Sequence, residues 1–129
     1  MTLDSSALVA IVFGESGYLE LVDRILEADL VRIGAPTLTE TAIVVTARTK
    51  KPMQRELAGL LRELDVTVVP FTADHHEAAW HAYQKYGRGR HKANLNFGDC
   101  MSYAVAKVAG DELLFVGDDF GRTDIGGRR

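Results

Sequence analysis

Short apolar runs alternate with segments of helical period along all 129 residues, and few architectures accommodate that order. The first run is only Thr2-Leu3. Asp4-Ser5-Ser6 then precedes the apolar stretch Ala7–Phe13, which predicts a helix beginning near Ser5. After a break at Gly14–Gly17, residues 18–28 place Leu19, Val22, Ile25 and Leu26 on one helical face. Leu30–Ala35 predicts a strand ended by Pro36, and Thr37–Arg48 a helix closed by Lys50, Lys51 and Pro52. Residues 53–64 repeat Met53, Leu57, Leu60, Leu61 and Leu64 as a further amphipathic helix. Val66–Pro70 predicts a strand, Ala73–Tyr86 a helix and Gly87–Asn96 a polar loop. Gly98–Val108 predicts a helix stopped by Gly110, and Leu113–Val116 a last strand. No repeat or linker interrupts the series. The expectation is the α/β class, a central and mostly parallel sheet between helices, in one domain spanning residues 1–129.

An apolar share of 47% suits a packed core of that size, and the formal charge of −3 supplies no global attraction for nucleic acid or anionic lipid. Charges break every apolar run well short of the roughly 18 residues that a membrane span needs. Met1-Thr2-Leu3-Asp4 puts an acid where a signal peptide would carry base. Cys100, the single cysteine, excludes an internal disulfide and suits a reducing cytosol. A cytoplasmic protein without a membrane partner is the expectation.

The acids matter by position. In parallel α/β sheets functional groups gather beyond the carboxyl ends of the strands. Asp4 follows the first strand, Asp118 and Asp119 follow the last, Glu40 lies early in the helix after the second, and Asp99 opens the helix after the polar loop. Each also has a structural reading. Thr37-x-x-Glu40 matches a capping box, Asn96-x-x-Asp99 resembles one, Asp4 suits a helix cap, and Gly117-Asp118-Asp119 suits a turn. Crowded on one edge, however, such carboxylates raise one another's pKa, and a hard divalent cation relieves the conflict. Such an ion equips a site for phosphodiester hydrolysis.

Four stretches carry a family likeness: Asp4-Ser5-Ser6-Ala7-Leu8; Leu38-Thr39-Glu40; Leu95-Asn96-Phe97-Gly98-Asp99-Cys100-Met101-Ser102-Tyr103-Ala104; and Leu114–Ile125 with Gly117-Asp118-Asp119-Phe120. In them the sequence resembles the PIN-domain ribonucleases, specifically the VapC toxins of bacterial toxin–antitoxin pairs. The resemblance implies a PIN α/β/α sandwich and an endoribonuclease dependent on Mg²⁺ or Mn²⁺. It maps the family's first three acids onto Asp4, Glu40 and Asp99, with Asp4 and Asp99 as principal metal ligands. The fourth falls on Asp118 or Asp119, where the chain departs from the commoner Thr-Asn-Asp pattern; Asp118 is preferred because it comes first after the strand. Ser6 stands at a small-hydroxyl position suited to holding a metal-bound water, while Ser5 and Ser6 read equally as helix-start residues. Glu40 suits orienting the water that attacks the phosphate in line, or a second ion. The resemblance further implies a cognate VapB-type antitoxin whose basic side chain enters the acidic cleft, and a homodimer. The Leu-rich helices at 18–28 and 53–64 would supply the dimer surface or simply core.

An RNA substrate needs cations near so acidic a site. Arg48, Lys50, Lys51 and Arg55 form one run. Lys85, Arg88, Arg90 and Lys92 form another, with Tyr83, Tyr86 and His91 able to stack on bases, and it leads directly to Asn96 and Asp99. Trp80, Tyr83 and Phe97 read otherwise as core or interface, Cys100 as core, and His75, His76 and His81 lack the spacing of a zinc motif. Setting aside Asp4, Glu40, Asp99 and Asp118 leaves 15 cations against 14 acids, a balance of +1 for the remainder. Two readings compete with the nuclease: a non-catalytic PIN-fold module binding RNA or protein, and, more remotely, a phospho-receiver domain, which would want paired acids after the first strand.

Overall fold

The structure, a computed structural model, describes residues 1–125; residues 126–129, the end of the expected single domain, lie outside the described residues. Four strands, β1 (Thr2–Leu3), β2 (Val31–Gly34), β3 (Val66–Val69) and β4 (Leu113–Leu114), form one sheet in the order β3-β2-β1-β4, every pair parallel. Six helices flank them: α1 (Ser5–Val12), α2 (Tyr18–Glu27), α3 (Ala35–Thr49), α4 (Gln54–Glu63), α5 (Ala73–Tyr86) and α6 (Phe97–Ala109). Among the described residues no helix is long and apolar enough to cross a membrane.

Neighbouring residues on a strand point to opposite faces, and β4 shows this in two residues. Leu113 packs with Ala79, Ala82, Tyr86, Leu95 and Tyr103 of the α5–α6 side, whereas Leu114 packs with Leu3, Leu8, Ile25, Ile33 and Leu61 of the α1–α2–α4 side. Helices therefore cover both faces of the sheet, the α/β/α sandwich. The two shortest strands, β1 and β4, are buried in both residues.

Where strands end, the structure departs from the sequence reading. Pro36 does not stop the chain after β2; α3 begins at Ala35 with Pro36 in its first turn, a place where the missing N–H costs nothing. Thr37 is thus already inside the helix, and the expected Thr37–Glu40 capping box does not form. The last strand ends at Leu114 rather than Val116, because the Val116 N–H donates to Ser6 Oγ at 2.9 Å. At the opposite, amino edge of the sheet, charge is compensated. Asp111 accepts from Thr2 Oγ1 at 3.0 Å, and the same Oδ2 lies 3.0 Å from Arg32 Nε, close enough for an ion pair though off a hydrogen-bond line.

Gly34 ends β2 where α6 crosses closest. A Cβ built there would lie 2.6 Å from Val105 Cγ2, inside any tolerable contact. Gly34→Ala is expected to destabilise the fold by about 1–3 kcal/mol in urea unfolding, the ordinary cost of overpacking, and Val105→Ala in the same chain to recover part of it. Additive losses in the double variant would show that the contact does not set the spacing.

Candidate metal centre on the carboxyl edge

Because all four strands run the same way, their carboxyl ends share one edge, and Asp4 emerges there from β1. It is buried, and both its oxygens are engaged. Oδ2 accepts from the Ser6 amide at 3.1 Å, capping α1, and from Ser6 Oγ at 2.6 Å. Oδ1 accepts a short hydrogen bond from Ser102 Oγ of α6. Since the Ser102 proton points at Asp4, Thr37 Oγ1, 3.2 Å from Ser102 Oγ, must be the donor to it. A buried hydroxyl relay thus links α3, α6 and Asp4.

Asp99 is fixed by its own helix. Its amide donates to Asn96 Oδ1 at 2.8 Å while its Oδ2 accepts from the Asn96 amide at 3.0 Å, so the predicted capping box is present with Asp in place of Glu. Burial pushes the Asp99 carboxyl up from 3.8 to about 7; the Asn96 amide works against the rise, and the charges of Asp4, Asp119 and Glu40 add to it. Glu40, with no capping partner, reaches across to α6. A Cβ on Gly98 would fall 2.3 Å from its Oε2, so the carboxylate lies against the first helical turn, where the macrodipole favours an anion. Burial raises the Glu40 pKa, the Ser5 hydroxyl lowers it partway, and Asp4 raises it again.

The charges of Asp4, Asp119 and Glu40 act on Asp99, and that of Asp4 on Glu40, so the acids after β1, on α3, on α6 and in the turn after β4 are neighbours. Asp118, preferred for its place after the strand, and Asp119 are both exposed in the turn that Gly117 makes at φ 106°. Among the described residues no three His, Cys, Asp or Glu side chains form a group placed to hold a metal ion. Mg²⁺ does not require one. It is commonly held by one or two carboxylates, with waters and substrate phosphate completing the shell.

Ser6, expected to orient water, donates to Asp4 and accepts from Val116, so its evident work is to position Asp4. Ser102, Thr37 and Gly98 are not among the expected site residues, although Gly98 and Ser102 lie in the stretch that carries the family likeness; the spacing of Ser102, three residues and one helical turn after Asp99, hints at its direction. Cys100 is buried, and burial together with Asp99 pushes its thiol up to about 11, which keeps it protonated at neutral pH. His75 is occupied in the cap of α5.

The basic loop is anchored beside the acids. Gly87 and Leu95 form a bridge, Arg88 N donates to Leu95 O at 2.9 Å, and Leu95 N to Tyr86 O at 3.0 Å, so the loop leaves and rejoins the body one residue before the Asn96 cap. Lys85, Arg88, Arg90 and Lys92 are exposed. Tyr86, expected to stack on bases, is instead buried against Tyr103 with its edge toward His91. Trp80 and Phe97 are not core: they are 57% and 78% exposed. In the other run, Arg48 is taken up by Glu15 and the Phe13 ring.

Residues 1–126 match the PIN domain family. Ribonuclease VapC30 of Mycobacterium tuberculosis is 45% identical over 126 residues, covering 97% of this chain and 95% of that protein. Among solved structures, VapC20 of M. tuberculosis, a sarcin–ricin-loop-cleaving toxin, superposes with a TM-score of 0.77 at 21% identity over 99% of this chain and 98% of that one. A chain of a toxin–antitoxin complex from Klebsiella pneumoniae superposes with a TM-score of 0.71 at 17% identity, covering 95% and 92%. At those identities the structural likeness speaks for the fold.

Because folding raises the Asp99 pKa, the folded chain binds this proton more tightly than the unfolded chain. The stability so contributed is fully present below the ordinary carboxylate value and is lost as pH rises through about 7. In metal-free buffer, urea midpoints should therefore fall between pH 5 and 8, and Asp99→Asn, which keeps the cap acceptor, should flatten that slope. Equal slopes in parent and variant would rule out Asp99 as the titrating group.

Proposed function

The chain belongs to the PIN-domain family and, within it, to the VapC ribonucleases, and from that premise we propose a single PIN domain over residues 1–129 acting as a toxin endoribonuclease. Its substrate is RNA, its cofactor Mg²⁺ or Mn²⁺, and its place the cytoplasm. The observation that carries this reading is the gathering of three carboxylates, Asp4 after β1, Glu40 of α3 and Asp119 in the turn after β4, around Asp99 of α6.

In this reading Asp4 and Asp99 hold the ion, and of the Asp118–Asp119 pair we favour Asp119 as the further acid because its charge acts on Asp99. Such an ion, when bound, supplies charge stabilisation for the phosphodiester and a lowered pKa for water. Ser102 and Ser6 keep Asp4 aimed into the cleft. Glu40, its carboxyl held above the usual range by burial, orients the attacking water in line with the scissile bond. The RNA backbone lies along Lys85, Arg88, Arg90 and Lys92. No covalent protein intermediate is involved, the one thiol being buried and protonated.

A toxin of this kind requires restraint, and a VapB-type antitoxin with a basic side chain complements the acids. A groove of about 370 Å³ beside Glu40, lined by Pro36, Ile43, Val44, Phe97, Gly98 and Met101, offers an apolar seat for its flanking residues. Homodimerisation, as the resemblance implies, would find exposed apolar side chains at Leu19, Leu26 and Leu30 around α2.

The purified, antitoxin-free chain is expected to cleave RNA with Mg²⁺ or Mn²⁺, to stop in excess chelator and to recover on re-addition of the ion. Asp4→Asn and Asp99→Asn should each lose at least about 10²-fold in rate, a loss of the size seen when charge stabilisation is removed. Asp119→Asn should cost more than Asp118→Asn. RNA binding without cleavage under every metal condition would favour the non-catalytic module. Replacing Arg88 and Arg90 by Ala should weaken binding across sequences and reduce the slope of log affinity against log salt by about 1.4, two single-strand phosphate contacts; an unchanged slope would remove the loop from the RNA path.

A further inference from the structure

One face of α5 carries aromatic rings that neither core uses. Trp80 is 57% exposed and Tyr83 37%, while Ala79, Ala82 and Tyr86 on the adjoining face are buried. The two rings lie 25° from parallel with centroids 6.4 Å apart, and the Arg90 guanidinium carbon sits 5.4 Å from the Tyr83 centroid. The stack thus continues from the helix into the basic loop. Gly87 makes the passage possible: a Cβ there would come 2.6 Å from Tyr83 Cδ1 and 2.3 Å from its carbonyl oxygen, so the Tyr83 ring rests on bare backbone where the loop begins.

An exposed indole forgoes the burial its size would favour, and an exposed apolar patch of this kind asks for a ligand. The charge around it selects which. Among the described residues Lys85, Arg88, Arg90 and Lys92 form no ion pair with an acid. A second copy docking this face on itself would press those cations together, because a twofold contact meets its own image. A polyanion with flat faces meets both demands at once, and nucleobases offer such faces whatever their sequence.

We propose that Trp80, Tyr83 and Arg90 form a stacking platform for unpaired RNA bases that flank the cleaved bond, so that the chain selects single-stranded segments. The platform deepens the ribonuclease reading and rests on it. It lies on the helix that feeds the basic loop, and that loop rejoins the body one residue before the Asn96 cap of the helix that carries Asp99. Base pairing would hide the faces it reads.

The chain has one tryptophan, so its emission reports the platform without a label. In chelator, to prevent cleavage, a single-stranded RNA of about ten nucleotides is titrated while its anisotropy and the Trp80 emission are followed together. Emission should be quenched by single-stranded RNA and little changed by a duplex or by an abasic oligomer of equal length that binds through phosphate alone. Trp80→Ala should weaken single-stranded binding about tenfold, Trp80→Phe should retain most of it, and neither should alter binding of the abasic oligomer. RNA binding by anisotropy with unchanged emission, and with equal affinity in Trp80→Ala, would overturn the platform and leave the ribonuclease reading standing. Absence of any RNA binding would overturn both. Conversion of a dimer to a monomer by Trp80→Ala with RNA affinity intact would mark the face as a contact between copies and overturn the proposal.

Discussion

One buried carboxylate joins the parts of the carboxyl edge. Asp4 ends β1, caps α1 through the Ser6 amide, and accepts from Ser102 on α6; Ser6 in turn holds the Val116 amide after β4. A buried anion is costly unless donors meet it, and here three donors occupy three of its roughly four lone-pair sites, leaving one open. The same bonds that offset that cost register two strands and two helices against each other. The edge is therefore built around a charge, and the remaining acids approach a centre that has already been fixed.

Repulsion among those acids is accommodated rather than avoided. Asp99 keeps a backbone partner in Asn96, and Glu40 rests against the amino end of α6, so each has some local stabilisation of its charge. Neither source is enough to return the pair to ordinary carboxylate behaviour, and both stay raised. Helix capping and site chemistry thus share one set of atoms: the structural and functional readings of Asp4 and Asp99 are the same hydrogen bonds seen from two sides. Glu40 differs, since its structural alternative, the capping box with Thr37, does not exist once α3 starts at Ala35.

The order of elements was legible because each carries its own local signal of periodicity, cap or breaker, and the sheet's parallel character followed from their alternation. What local signal could not reach were the places where tertiary contacts decide. Pro36 is a strand stop or a helix start depending on whether the chain turns immediately, and it turns. Val116 looks like strand until Ser6 takes its amide. Tyr86 looks like a stacking residue beside basic neighbours, yet packing against Tyr103 buries it, while Trp80 on the same helix stays out. In the site, the acids announced themselves by their places after strands and at helix starts, whereas the roles of Ser102, Thr37 and Gly98, exercised through a hydroxyl or through the absence of a side chain, depend on contacts between elements that one sequence does not show.

The two edges of the sheet do not carry charge in the same way. At the amino edge Asp111 is matched by Arg32; at the carboxyl edge the acids face one another, and the exposed cations of the loop stand to one side. In a field the molecule is therefore a body with a direction and not a sphere of charge −3. A charged macromolecule drifting near it exerts a torque before it makes a contact, turning the carboxyl edge toward or away according to its own sign. Screening confines that torque to within about 8–10 Å at physiological salt. Orientation is consequently set in the last moments of approach.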